Sequence, residues 1–139
     1  MDSALTDYDR AIELKPDSAA SYNNRGELKR LKHDLDGALL DYNKAIEIKP
    51  DSAIYYFNLS LTKLPKRDLD GALDDCNRAI ELKPDFAAAY NNRGMVRQVK
   101  GDLDGALDDY NKALDLKPDF AAARTNRDKA KQTKDSKNG

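Results

Sequence analysis

The chain has no tryptophan, one cysteine and one histidine, and each shortage closes a class of function. With Cys76 alone, no intrachain disulfide can form; a reducing compartment is allowed, and the cytoplasm is the favoured expectation. A single histidine, His33, cannot be part of a His/Cys cluster of the kind that binds zinc. Long apolar runs are missing too. None approaches the roughly 20 residues that cross a bilayer, and no signal-peptide pattern opens the chain, so no membrane partner is expected. A surplus of one charge sign is also lacking: Lys plus Arg number 24, Asp plus Glu 25, and the net charge is -1. Proteins that grip nucleic acid draw affinity from neutralised phosphates, which this balance does not supply. Only Lys129 to Lys137 is basic, and it reads as a solvated end. No P-loop, dinucleotide loop or zinc ribbon is present. Neither catalysis, a metal nor a cofactor is expected.

What is there is repetition. Lys-Pro-Asp occurs four times, with prolines at Pro16, Pro50, Pro84 and Pro118, each 34 residues after the last. Asp-Leu-Asp-Gly-Ala-Leu recurs at 34–39, 68–73 and 102–107 on the same period. Between 17–50 and 85–118, 22 of 34 residues are identical. A fixed period of this size indicates a solenoid of stacked supersecondary units.

Each unit reads as two helices. In the third, Asp85 is expected to cap a helix over 87–100, Gly101 to take the left-handed conformation, and Asp102 to cap a second helix ending before Pro118. Leu103, Ala106, Leu107, Tyr110, Ala113 and Leu114 recur at three- and four-residue spacing, an amphipathic stripe. A helix of about 14 residues is marginal alone, so the hairpins must stack to hold. The expected architecture is all-α: a right-handed α-solenoid of stacked antiparallel hairpins. It comprises an orphan second helix (3–16), three full units (17–50, 51–84, 85–118), a capping helix (119–134) and a disordered tail (135–139). The orphan helix makes the chain read as cut from a longer array at its N-terminus. Its Leu5 and Tyr8, left uncovered, offer a second reading, self-association.

At these residues the chain resembles the tetratricopeptide-repeat family. The third unit carries Tyr90, Gly94, Gly101, Asp102, Ala106, Tyr110, Ala113 and Pro118 in the family's order. The first carries Tyr22, Gly26, Ala38, Tyr42, Ala45 and Pro50, and the second a weaker set, Tyr56, Ser60, Ala72, Cys76, Ala79 and Pro84. There are departures. Arg25 and Arg93 stand before the glycine where leucine is common, and His33 and Arg67 replace the turn glycine. Since Asp7, Asp41, Asp75 and Asp109 recur on the same period, an ion pair from first-helix Arg to second-helix Asp is expected, within or between hairpins.

The resemblance implies a protein-binding scaffold whose first helices line a concave groove. One face of each first helix carries Asn24, Asn58, Asn92 and Asn126 on the 34-residue period, with Asn23 and Asn91 beside them. Amides at a fixed spacing can hold a peptide backbone, in the manner of the asparagine ladder of the O-GlcNAc transferase repeats; local hydrogen bonding is the alternative. Four such contacts give only about 2–6 kcal/mol, short of the about 8 kcal/mol of a micromolar complex. The rest must be apolar. The second unit departs most from its neighbours: over 53–66 only 4 of 14 residues equal their counterparts 34 places on. Ile54, Phe57 and Leu61, with Met95 from the third unit, are the candidate contacts; the alternative is tighter hairpin packing, with Tyr55 and Leu59 turned inward. Some family members clamp the C-terminal carboxylate of heat-shock chaperones with two Lys, two Asn and an Arg. The corresponding residues here are Asn23, Glu27, Asn58, Ala88 and Asn92, of which only Asn58 matches, so no chaperone-carboxylate clamp is expected.

Overall fold

The protein's structure, a computed structural model, describes residues 3–138. Eight helices follow one another: α1 (Ser3–Leu14), α2 (Ala19–Leu31), α3 (Leu35–Ile48), α4 (Ala53–Lys63), α5 (Leu69–Leu82), α6 (Ala87–Val99), α7 (Leu103–Leu116) and α8 (Ala121–Asn138). No strand occurs among the described residues. Helices α2–α3, α4–α5 and α6–α7 form the three hairpins, and each hairpin's second helix packs on the first helix of the next.

Local chemistry sets the boundaries. Asp34, Asp68 and Asp102 accept a hydrogen bond from the backbone N–H of Gly37, Gly71 and Gly105, at 3.0, 3.1 and 2.9 Å. Each satisfies an N–H that the helix cannot pair internally. Asp36, Asp70 and Asp104 lie in the first turns, where the helix dipole favours negative charge. The first helices differ. Ser18 caps α2 through the Ser21 N–H at 3.3 Å, but the residue before α6 is Phe86, not Asp85, and it offers no side-chain cap. Helix α4 is the shortest and stops at Lys63, two residues before Pro65. Helix α8 runs to Asn138, so residues 135–138 are helical rather than tail; Gly139 lies outside the described residues. Helix α1 ends at Leu14 rather than residue 16.

The turn within each hairpin needs one left-handed residue. Gly101 supplies it at φ 91°, but His33 and Arg67 do so at φ 66°. Their Cβ atoms pay a steric penalty of about 1 kcal/mol that glycine avoids.

Small residues let the helices approach. Ala38, Ala45, Ala72, Ala79, Ala106 and Ala113 are fully buried on the second helices. Where first and second helix cross, a Cβ on Gly26 would lie 2.9 Å from the Tyr42 ring, and one on Gly94 would lie 2.6 Å from Tyr110. The tyrosine ring therefore occupies the space that the missing side chain vacates. In the middle hairpin the pair becomes Ser60 and Cys76, both fully buried: a larger first-helix residue faces a smaller second-helix one. Cys76 is a packing thiol, and burial pushes its pKa up, away from reactivity.

The arginine–aspartate pairs form, and they work both within and between hairpins. Arg25 donates to both carboxylate oxygens of Asp41 at 2.8 and 2.7 Å, and reaches back to Asp9 of α1 at 2.9 Å. Arg93 repeats this with Asp109 at 3.0 and 2.8 Å, and with Asn77 of α5 at 2.9 Å. In the middle hairpin Leu59 replaces the arginine and is buried with Ala38 and Tyr42. Asp75 is then left with Lys63 at 2.8 Å. Burial raises the Asp75 pKa and Lys63 only partly offsets it. At the surface Lys66, Lys100 and Lys134 bond Asp36, Asp70 and Asp104, tying each first helix to the preceding second helix. These pairs are exposed, and solvent and salt screen them.

Two outcomes are expected in urea titrations. Arg93→Leu lowers stability by about 2 kcal/mol, because Asp109 stays buried with only Arg97 beside it; an unchanged midpoint would contradict the pair's role. Arg67→Gly raises stability by about 1 kcal/mol by relieving the left-handed turn, and a loss would contradict that reading.

Candidate functional site

Curvature decides which helices face inward. Helix α2 touches α4, α4 touches α6 and α6 touches α8, whereas no two of α1, α3, α5 and α7 touch. The array therefore bends with the first helices on its inner side, and their unpacked residues line the hollow.

The asparagines are mostly spent on holding this curve. Asn58 donates to the Asn23 side chain at 2.8 Å, and Asn126 to the Asn91 side chain at 3.1 Å. Each bond spans 35 residues, from one first helix to the preceding one. Phe57 stands where the next acceptor would be, so Asn92 donates instead to Ser60 at 2.7 Å and to the Cys76 sulfur at 3.6 Å. Asn23, Asn58, Asn91 and Asn92 are buried. At these four positions the amides bond between helices, the local hydrogen bonding that stands as the alternative to a peptide-gripping ladder. Asn126 is half-buried, and Asn24 alone is exposed. Asn24 lines a cavity of about 250 Å³ with Ala4, Tyr8, Glu27, Leu28 and Leu31.

The apolar candidates divide as well. The Phe57 ring lies 4.9 Å from that of Phe86, tilted by 49°, in a cluster with Ala79 and Ala89. It packs at the joint between the second and third hairpins and stays half-buried there. Tyr55 and Leu59 are buried, as the packing alternative for this helix requires, and Leu61 is half-buried. Ile54 and Met95 do face solvent, 47% and 36% exposed. With them stand Leu31 and Val99, at 63% and 45%, whose weight the sequence reading missed. Their signal was present: residues 31 and 99 are equivalent, and both are apolar at the last turn of an inner helix.

Met95, Val99, Gln98, Tyr110 and Asn126 line an open hollow of about 310 Å³. Tyr110 donates to Gln98 at 2.6 Å; burial pushes its pKa up to about 12, so it is a neutral donor. In the first hairpin Arg30 takes the place of Gln98. Arg30 Nε and the Tyr42 hydroxyl are both buried, and the Arg30 guanidinium is the hydroxyl's hydrogen-bonding neighbour. Toward α8 the surface becomes polar and basic, with Lys129, Gln132, Thr133 and Lys137 around a cavity of about 660 Å³. Among the described residues no group of three His, Cys, Asp or Glu could hold a metal ion. No described helix is long and apolar enough to cross a membrane. His33 is exposed in its turn.

Comparison with known proteins agrees with this geometry. A TPR repeat model matches residues 1–32 and 29–63, and tetratricopeptide repeat models match 53–86 and 87–120. No curated protein matches the chain. Among solved structures, MamA aligns with a TM-score of 0.85 at 24% identity, over 94% of this chain and 76% of that one. The first TPR of Spaghetti (RPAP3), bound to the HSP90 peptide SRMEEVD, gives 0.80 at 25% identity, over 83% and 91%. The OM64 TPR domain of Arabidopsis gives 0.81 at 23% identity, over 83% and 95%. With tetratricopeptide-repeat models matching it from residue 1 to residue 120, the chain belongs to the tetratricopeptide-repeat family.

Proposed function

We propose that the protein is a non-catalytic scaffold that binds a segment of a partner protein along the inner side of α2, α4, α6 and α8. The supporting observation is where the exposed apolar side chains fall. Of the six large hydrophobics exposed among the described residues, Leu31, Ile54, Met95 and Val99 lie on inner helices; only Leu14 and Leu40 lie on outer ones. Burying such a side chain is worth about 1.5–3 kcal/mol, so three or four supply most of what a micromolar complex requires. Polar groups then set orientation. Asn24, exposed on α2, can reach a partner's backbone.

The carboxylate clamp is not part of this reading. In the Spaghetti domain the bound peptide is acidic, but here Asn58 and Asn92 are buried and already bonded, and Glu27 is exposed beside the groove. Acid facing acid opposes such a ligand.

Peptides selected from a displayed library against the chain should lose at least about tenfold in affinity on Ile54→Asp or Met95→Asp, measured by calorimetry, a loss of about 1.4 kcal/mol. Helical circular dichroism should be unchanged. Full affinity in both variants would sink the proposal. The peptide SRMEEVD should show no micromolar binding, and a micromolar titration would contradict the absence of a clamp.

A further inference from the structure

Residues 27, 61, 95 and 129 hold one position of the 34-residue period on the four inner helices, and they read Glu27, Leu61, Met95 and Lys129. Four residues further on, the same helices and the turn after α4 bring Leu31, Pro65, Val99 and Thr133. Both rows open onto the hollow side. Glu27 and Leu31 line one recess, Met95 and Val99 a second, and Lys129 and Thr133 a third. Gln98 lines the second and the third alike, so those two are continuous. From α2 to α8 the first row therefore runs acidic, apolar, apolar, basic. The order is local, since the chain as a whole carries a net charge of only -1.

The two end charges are unspent. Other lysines of the inner helices and their turns are taken: Lys29 by Asp41, Lys63 by Asp75, and Lys66, Lys100 and Lys134 by Asp36, Asp70 and Asp104. Among the described residues neither Glu27 nor Lys129 enters an ion pair, and both are exposed. The charges beside them are engaged elsewhere. Arg30 is turned to the Tyr42 hydroxyl, and Asp128 is held by Arg127 at 3.3 Å. Lys137 stands in the same recess as Lys129 and reinforces it. Packed helices lie roughly 10 Å apart, so the two ends are separated by more than the Debye length of about 8 Å. They do not neutralise one another.

We propose that the groove takes an extended segment of fixed charge order, with a basic residue at α2, apolar residues at α4 and α6, and an acidic residue at α8. This rests on the inner side being the binding surface and adds which segment it accepts and which way round. An extended chain advances about 3.3 Å per residue, so the contacts fall roughly three residues apart and the motif spans about ten residues. In SRMEEVD the arginine and the last aspartate stand five residues apart, too close to reach both ends. Reversing the segment sets like charge against like at each end, so one orientation is rejected.

Dodecapeptides selected against the chain from a random displayed library test this. They should carry a basic residue at one end and an acidic one at the other, in excess over the unselected library. In calorimetry Lys129→Glu should weaken such a peptide at least about fivefold, and replacing the peptide's acidic residue by lysine should recover most of the loss. Glu27→Lys should weaken it likewise, with recovery on exchanging the peptide's basic residue for glutamate. Lys112→Glu, the same change at an exposed site on the outer helix α7, should leave the affinity as it is. Glutamate and lysine are both good helix formers, so the helical circular dichroism should not change. A paramagnetic label on the peptide's acidic end should broaden the signal of Lys129 and spare that of Glu27. Peptides that lose affinity on Met95→Asp but bind Glu27→Lys and Lys129→Glu unchanged would overturn the charge order and leave the groove standing. Peptides indifferent to Met95→Asp as well would overturn both, and broadening of Glu27 by the acidic end would overturn the orientation.

Discussion

A single helical hairpin of this length cannot bury both sides of its helices, and everything else in the structure follows from that shortage. Each hairpin here is completed by its neighbours, and the closeness of the contact is set by small residues. Alanines line the second helices, and a tyrosine ring fills the gap left by a first-helix glycine. Stability in such an array is a sum of local joints rather than one core. The joints are not equal. The first and third hairpins carry a bidentate arginine–aspartate pair that also reaches the preceding helix, whereas the middle one has exchanged it for Leu59 and a more apolar seam.

That exchange also decides what the hollow side can present. First helices pack against one another while second helices do not, so the inner helices lie close enough to share asparagine–asparagine bonds. An amide used in that way fixes curvature and leaves little for a ligand. The remaining open positions on the inner side are apolar in the middle and basic toward α8, a surface suited to a partner segment with hydrophobic anchors.

Much of this was legible in the sequence, because periodicity reports local structure directly. The hairpins, the caps at Asp34, Asp68 and Asp102, the left-handed turn at Gly101 and the Arg–Asp pairs all follow from spacing and residue type. The direction in which a side chain points did not follow. Asn58 and Asn24 occupy equivalent positions, yet one is buried and the other exposed: among the described residues, Asn58 faces a preceding first helix with an acceptor at Asn23 and Asn24 does not. The packing of Phe57 on Phe86, 29 positions later, was equally out of reach of the pattern. Such contacts lie between units, and a repeat pattern is blind to differences between neighbours. Asp85 failed as a cap for a simpler reason: the helix starts at Ala87, which puts Phe86 rather than Asp85 at the boundary.

The account rests most heavily on the inner side of the first helices being the binding surface. Methyl NMR of the chain titrated with a library-selected peptide tests it directly. The signals of Leu31, Ile54, Met95 and Val99 should shift together, while those of Leu14 and Leu40, equally solvent-facing but on outer helices, should not. Shifts gathered on Leu14 and Leu40, with the inner four unmoved, would contradict it.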